Sequence, residues 1–421
     1  MHGAWGATLI NDTETERVLQ RLVTPLAQVA DIPQNRMKVH IVRDEDFNAF
    51  VVGGEDIYVY TGLLKQIKTP GALQAVIAHE LGHTLGGHMA QMSQRMAAEM
   101  KRSMLIQALG IGLMVAGGNP SLGAGVLAGS SGVAQQSMLA FTRDEERIAD
   151  NMGVNLMCDA GLNPGDFIVV LEQMQNMTGA IESKINPNRI NHPLTTERLN
   201  NVREQIAHIS PDKKNGKSPK TDEYELVRAK LVGYLDSADR VRELYPFSDK
   251  SSPAIYARAI ANMRGGNLDG ARVGVQTLIS RMPENPYFYE LLGDIEYQFG
   301  HYDDSVVAYE KSLEIAGNAP QIQTALALVL AERNKPNDKK HSIELAKRAL
   351  LGEQAPLTYW VLARAYGDDD AGRQAWAMAE YNMMIGKDDA AKKYARQAQK
   401  KLKKTDAEYI KAGDILKNDG K

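Results

Sequence analysis

The spacing of apolar positions changes along the chain and marks its elements. From Asp12 to Ala30 the apolar residues keep helical spacing, and Asp12 or Thr13 caps the start. Met37–Arg43 and Ala49–Val52 read as strands, and Asp56–Tyr60 alternates as Ile-Tyr-Val-Tyr, a third strand. Helical spacing returns from Thr69 to about Met96, with Leu73, Val76, Ile77 and Leu81 on its apolar face. Met104 to Gly117 is an apolar run, followed by a turn at Asn119-Pro120 and a stretch rich in Gly, Ala and Ser up to Ala134. Fourteen apolar residues are too few to span a bilayer. Residues 104–140 therefore read as a hairpin, either covering a cleft, with contact to a membrane surface or a partner, or buried in the core.

The pattern changes again past residue 210. Residues 211–221 are polar, with two prolines and a glycine, which is a linker composition. From 222 to 421 the chain is helical and repetitive. Pro253, Pro286, Pro320 and Pro356 fall 33, 34 and 36 residues apart, and each opens two successive amphipathic stretches. Tyr289, Leu292, Gly293, Gly300, Tyr302, Tyr309 and Ser312 alternate large and small residues as a tetratricopeptide repeat does. Such repeats stack into a solenoid with a concave binding face. Segments 222–246 and 373–417 flank it as further helices.

The expected fold is mostly α with a small β-sheet in residues 1–210 (an α+β domain), then an all-α repeat solenoid. At 421 residues, several domains are expected. Composition narrows the function. Net charge is −3 with a pI near 6.3, which lacks the basic footprint of a nucleic-acid binder. One cysteine, Cys158, rules out an intrachain disulfide, and its apolar surroundings make it a core residue. The residues after Met1 show neither the basic nor the apolar region of a signal peptide.

Candidate chemistry sits on the helix from Thr69. In His79-Glu80-Leu81-Gly82-His83 the two histidines are one turn apart on one face, so both can reach one ion at about 2.0–2.1 Å. Glu80 points about 100° away from His79 around the axis, beside the ion and free to take a proton. A third ligand must come from elsewhere. Glu146 is the candidate, in Glu146-Arg147-Ile148-Ala149-Asp150, where Asp150 one turn on can orient a ligand histidine. Glu145 is its rival, and Ala149 is small enough for close helix packing. His88 lies 140° from His83 on a continued helix and reads as non-ligating. An extended substrate is expected along an edge strand between Asn48 and Asp56, with Asn48 and Ala49 in contact.

These motifs, with His192-Pro193 and Arg198, resemble the HtpX/CAAX-prenyl-protease family of zinc metallopeptidases. Asn48-Ala49-Phe50, Ile57-Tyr58-Val59 and Gly62-Leu63-Leu64 also fit its pattern, and the appended repeats are similar to its BepA-like periplasmic branch. The resemblance implies one Zn2+ per chain on His79, His83 and Glu146, with Glu80 as base and Asp150 orienting a ligand histidine. It implies that His192 can take the fourth zinc position and latch the site, or else bind the oxyanion. Arg198 could stabilise that oxyanion, hold Glu80 or substrate, or form a structural ion pair. The resemblance also implies a periplasmic location, protein substrates recruited by the repeats, and quality control at an outer-membrane assembly complex, with a chaperone-like side. The competing expectation is a repeat scaffold whose zinc site is mainly regulatory.

Overall fold

A computed structural model of the chain describes residues 8–33, 36–53, 55–88, 142–181, 192 and 196–417. Residues 104–140, the expected hairpin, lie outside these described residues. The chain divides into two compact units, Met1–Arg228 and Ala229–Lys421.

The first unit is built on a four-stranded mixed sheet. Its strands are β1 (Thr8–Ile10), β2 (Lys38–Arg43), β3 (Ala49–Val52) and β4 (Asp56–Tyr60), in the order β1-β2-β4-β3. β2 and β4 run parallel, with Lys38 opposite Asp56 and Val42 opposite Tyr60. β3 is an edge strand, antiparallel to β4, with Ala49 opposite Val59. Alternation sends Ile57 and Val59 into the core, fully buried. On the other face Tyr58 stacks on His40 and on Phe50 at ring-centroid distances of 4.7 and 4.9 Å.

Helix α1 (Thr13–Val29) packs on this sheet, and Asp12 caps it by accepting from the Thr15 amide. A short α2 (Thr61–Gln66), missed in the sequence, leads into α3 (Pro70–Leu85). Thr69 caps α3 and Pro70 occupies its first turn. The helix does not run to Met96 as its periodicity suggests. Gly86 closes it, and Gly87 turns the chain at φ +69°, a region open to glycine at little cost. Among the described residues four helices follow: α4 (Arg143–Asp159), α5 (Gly165–Ile181), α6 (Thr196–His208) and α7 (Pro211–Lys214). The pairing of α3 with α4 is tight. Gly82 faces Ala149, and Gly153 faces the Phe167 ring and the backbone of Ala78. Cys158 is buried and free of any disulfide.

Residues 211–221, the expected linker, make hydrogen bonds to the first unit. Ser218 donates to Asp166 (2.7 Å), and the Lys217 amide donates to the Gly161 carbonyl (3.1 Å). Polar composition here serves hydrogen bonding to the first unit. The division between units falls at Arg228, inside α8 (Asp222–Leu235).

The second unit is all-helical. After α9 (Ala238–Leu244) come the helix pairs α10 (Ser252–Arg264) and α11 (Leu268–Arg281), α12 (Pro286–Gln298) and α13 (Tyr302–Ala316), α14 (Pro320–Arg333) and α15 (Asp338–Gly352), and α16 (Pro356–Tyr366) and α17 (Ala371–Met384). Two more helices, α18 (Asp388–Lys401) and α19 (Ala407–Lys417), complete it. Each of the four spaced prolines sits in the first turn of the leading helix of a pair. A Cβ on Gly293 would meet the Tyr309 ring at 2.8 Å, so the glycine admits the ring between paired helices. Equivalent contacts recur along the stack: Ser305 donates to the Gly293 carbonyl and Ser342 to the Ala327 carbonyl. Thr324 and Thr358, one period apart, bond to each other at 2.9 Å. The expected class holds: mostly α, with a small mixed sheet and a helical repeat region. Among the described residues no helix is long and apolar enough to cross a membrane.

Candidate metal centre

The site forms where α3 and α4 cross, and His192 closes it. α3 brings His79, Glu80 and His83, all buried. α4 starts at a capping box in which Thr142 receives the Glu145 amide and the Glu145 carboxylate receives the Thr142 amide at 2.8 Å. That use of Glu145 separates it from its rival: Glu145 fastens the helix start, while Glu146, fully buried, turns into the cluster.

Four donor atoms converge. His79 Nε2 lies 3.1 Å from His83 Nε2 and 3.2 Å from His192 Nδ1. Glu146 lies 3.4 Å from His79 Nε2, 3.4 Å from His83 Nε2 and 2.8 Å from His192 Nδ1. Four ligands placed tetrahedrally at about 2.0–2.1 Å from one ion stand about 3.3–3.4 Å apart. The protein places its donors near that spacing, and the three-imidazole, one-carboxylate set suits zinc. Bringing them together without an ion costs desolvation of Glu146, which the three imidazoles offset. The net effect holds its carboxyl well below the usual range.

The back of the site is also built. Asp150 Oδ1 lies 2.8 Å from His79 Nδ1, which leaves Nε2 for the cluster. Burial alone would lower the His79 pKa, but Asp150 and Glu146 hold it at about 9. Burial lowers His83 to about 4, despite its bond to Glu146. Burial raises Glu80, against the opposing pull of His192 and His79. Its Oε1 lies 3.4 Å from His192 Nε2, beside the donor cluster and outside it. A carboxyl raised by burial beside such a cluster is suited to proton transfer near neutral pH.

Arg198, on α6, makes a buried ion pair with two carboxylates of the site. Its Nε and Nη2 donate to the two oxygens of Asp150 at 2.8 Å each, and Nη1 lies 2.6 Å from Glu146 Oε2. His88 escaped the sequence reading as a contact of the site. The helical-wheel argument fails because α3 ends at Leu85, and the turn brings His88 Nδ1 to 2.9 Å from His83 Nδ1. The Gly86-Gly87 pair was the available signal. A pocket beside Glu80 is lined by Asn48, by Ala49 at the start of the β3 edge, by Leu63, Phe167 and Met174, and by His192 and Arg198.

A second grouping, Glu296 with His301 and Asp304, lies in the repeats. There Arg272 already holds Glu296 through two bonds of 2.7 and 2.5 Å, so the carboxylate is engaged in an ion pair.

Comparison with known proteins places this geometry. Residues 13–206 match Peptidase family M48. The β-barrel assembly-enhancing protease of Escherichia coli K12 is 23% identical over 341 residues, covering 79% of this chain and 68% of that protein. The mitochondrial metalloendopeptidase OMA1 of Schizosaccharomyces pombe is 27% identical over 192 residues, 45% of this chain and 51% of that one. The metalloprotease LoiP of Escherichia coli K12 is 26% identical over 177 residues, 40% of this chain and 62% of its own. The donor cluster, with a buried carboxylate beside it, therefore lies in the stretch that matches peptidase family M48, ahead of the helical repeats, and the chain is a metalloprotease.

Proposed function

We propose that the chain is a zinc-dependent endopeptidase acting on misfolded or stalled proteins that its repeats recruit. One observation carries the reading: the donors of His79, His83 and Glu146 stand near tetrahedral spacing, with Glu80 beside them and a largely apolar pocket next to it. His79, His83 and Glu146 would hold a zinc ion, which would supply Lewis acidity at the scissile carbonyl and lower the pKa of a water. Glu80 takes the proton of that water and passes it to the leaving amine. Asp150 and Arg198 keep His79 and Glu146 in place. The β3 edge at Asn48 and Ala49 receives the substrate backbone as an added strand, and the apolar pocket takes one of its side chains.

A regulatory side belongs to the same reading. His192 Nδ1 lies within 3.2 Å of both His79 and Glu146, in the place of a fourth ligand. Occupied so, the site is latched, and proteolysis requires His192 to leave. This contact also favours the second reading, a chaperone-like repeat protein with a mainly regulatory zinc site. The matched β-barrel assembly-enhancing proteases support a role in outer-membrane protein quality control in the periplasm, with an assembly complex as a partner.

The test pairs two variants of the full chain. Glu80→Gln is expected to keep zinc and to lower cleavage of an unfolded protein by at least about 100-fold. His192→Ala is expected to keep zinc and raise turnover. Retained cleavage in Glu80→Gln overturns the mechanism, and unchanged turnover in His192→Ala overturns the latch.

A further inference from the structure

We propose that His88 is a positioning residue that fixes the tautomer and the angle of the ligand His83. The inference rests on the zinc reading of the site and adds to it a role for a residue outside the donor cluster.

The argument starts from one ring. His83 presents Nε2 to His79 and Glu146, so Nε2 is the nitrogen that faces an ion. A neutral imidazole that offers a lone pair at Nε2 carries its proton at Nδ1. That Nδ1 lies 2.9 Å from His88 Nδ1. The ligating tautomer therefore donates from His83 Nδ1 to His88 Nδ1, and His88 keeps its own proton at Nε2. If His88 donated instead, the His83 proton would sit at Nε2, where it blocks the ion. The two ligand histidines are thus braced by different groups: a carboxylate, Asp150, behind His79 and a neutral ring behind His83.

The chain is shaped for this contact. α3 stops two turns after His79, and Gly87 at φ +69° folds the backbone so that His88, 2% exposed, returns against His83. Gly86 leaves room for the ring. A Cβ there would stand 2.6 Å from His88 Nε2 and 2.8 Å from Cε1. Without His88 the ring of His83 loses this brace and the tautomer preference that it sets. Outer partners of this kind govern about 10–100-fold of metal affinity.

The experiment measures zinc affinity of the full chain by competition with a chromophoric chelator at fixed pH, alongside thermal unfolding of the metal-free protein. His88→Leu is expected to weaken zinc binding about 10–100-fold. His88→Asn places a carbonyl oxygen where Nδ1 was, and is expected to restore affinity to within a few-fold of the original. Gly86→Ala, which leaves His88 present and pushes its ring, is expected to weaken binding as His88→Leu does. A ring that only fills space would lower unfolding temperatures, leave affinity alone and gain nothing from Asn. Zinc affinity unchanged in both His88→Leu and Gly86→Ala overturns the inference, as does failure of Asn to rescue a folded protein. An unmutated chain that binds no zinc refutes the metalloprotease reading instead, so the two failures are told apart.

Discussion

Replacing Gly82 by alanine tests how the site is held together. Gly82 lies between His79 and His83 on the buried side of α3, against α4. A Cβ at this position would stand 2.5 Å from the carbonyl oxygen of Ala149 and 3.0 Å from its Cα, where ordinary contact begins at 3.4 Å. Both atoms are backbone, so no side chain can rotate out of the way, and the helices must part by roughly 1 Å. α3 carries His79 and His83, and α4 carries Glu146 and Asp150. Metal–ligand distances tolerate only about 0.2 Å, so Glu146 leaves bonding range. The stability change is smaller. Alanine gains about 1 kcal/mol over glycine in a helix interior, against about 1–3 kcal/mol for overpacking. Metal-free Gly82→Ala is therefore expected to lose about 0–2 kcal/mol, while zinc affinity falls by at least about 100-fold, or 2.7 kcal/mol. Chelator competition reads the affinity, and urea unfolding without metal reads the stability. Wild-type zinc affinity in Gly82→Ala would refute the idea that this seam sets the position of Glu146.

Two further outcomes are expected. His79 holds its proton up to about 9 in the metal-free protein, because Asp150 and Glu146 outweigh the effect of burial. That proton must leave for Nε2 to bind an ion, so zinc affinity should rise with pH by up to about tenfold per unit and flatten above about 9. Calorimetry in buffers of different ionisation enthalpy checks for release of about one proton near neutrality, and a pH-independent affinity would contradict it. In the repeats, Arg333 grips Asp338 with bonds of 2.8 and 2.7 Å, and the Lys335 amide adds a third at 2.9 Å. Arg333→Met should cost about 1.5–3 kcal/mol at pH 7. Arg333 holds the Asp338 carboxyl below its ordinary 3.8, so the contribution is full above that value and is lost as pH falls through the lower folded value. Denaturant unfolding should show the gap between variant and parent closing only in that acid window.

Much of this was legible in the chain, for identifiable reasons. A one-turn spacing fixes a face, so His79 with His83 and Glu146 with Asp150 could be paired before any coordinates. Strands β2 to β4 were readable because one face of each is buried. The repeat period survived because small residues recur at the same offset, with Gly293 and Ala327 each seven residues past a helix-opening proline and Gly293 admitting the Tyr309 ring. What escaped depends on where the chain turns. Periodicity alone carries α3 past Leu85, because it does not register the reversal at Gly87, and His88 was misplaced with it. β1 is three residues long, too short for a pattern. Arg198 looks the same in sequence whether it meets a substrate or two buried carboxylates. The polar run at 211–221 has the composition of a linker, yet its hydrogen bonds close on Gly161 and Asp166.

The buried groups around the donor cluster also carry an electrical consequence. Glu80, Glu146 and Asp150 are three acids buried together, and among the described residues Arg198 is the fixed cation buried with them. With the histidines neutral and all three carboxyls ionised, these groups are short of two positive charges. A dication restores neutrality, whereas a monovalent ion leaves net negative charge in a low-dielectric interior, and that is costly. The valence of the guest is thus encoded in the count of buried ionised groups, separately from the geometry of the donors. Substitutions such as Asp150→Asn or Arg198→Met would therefore alter which ions the pocket accepts, even with all four donor atoms kept in place.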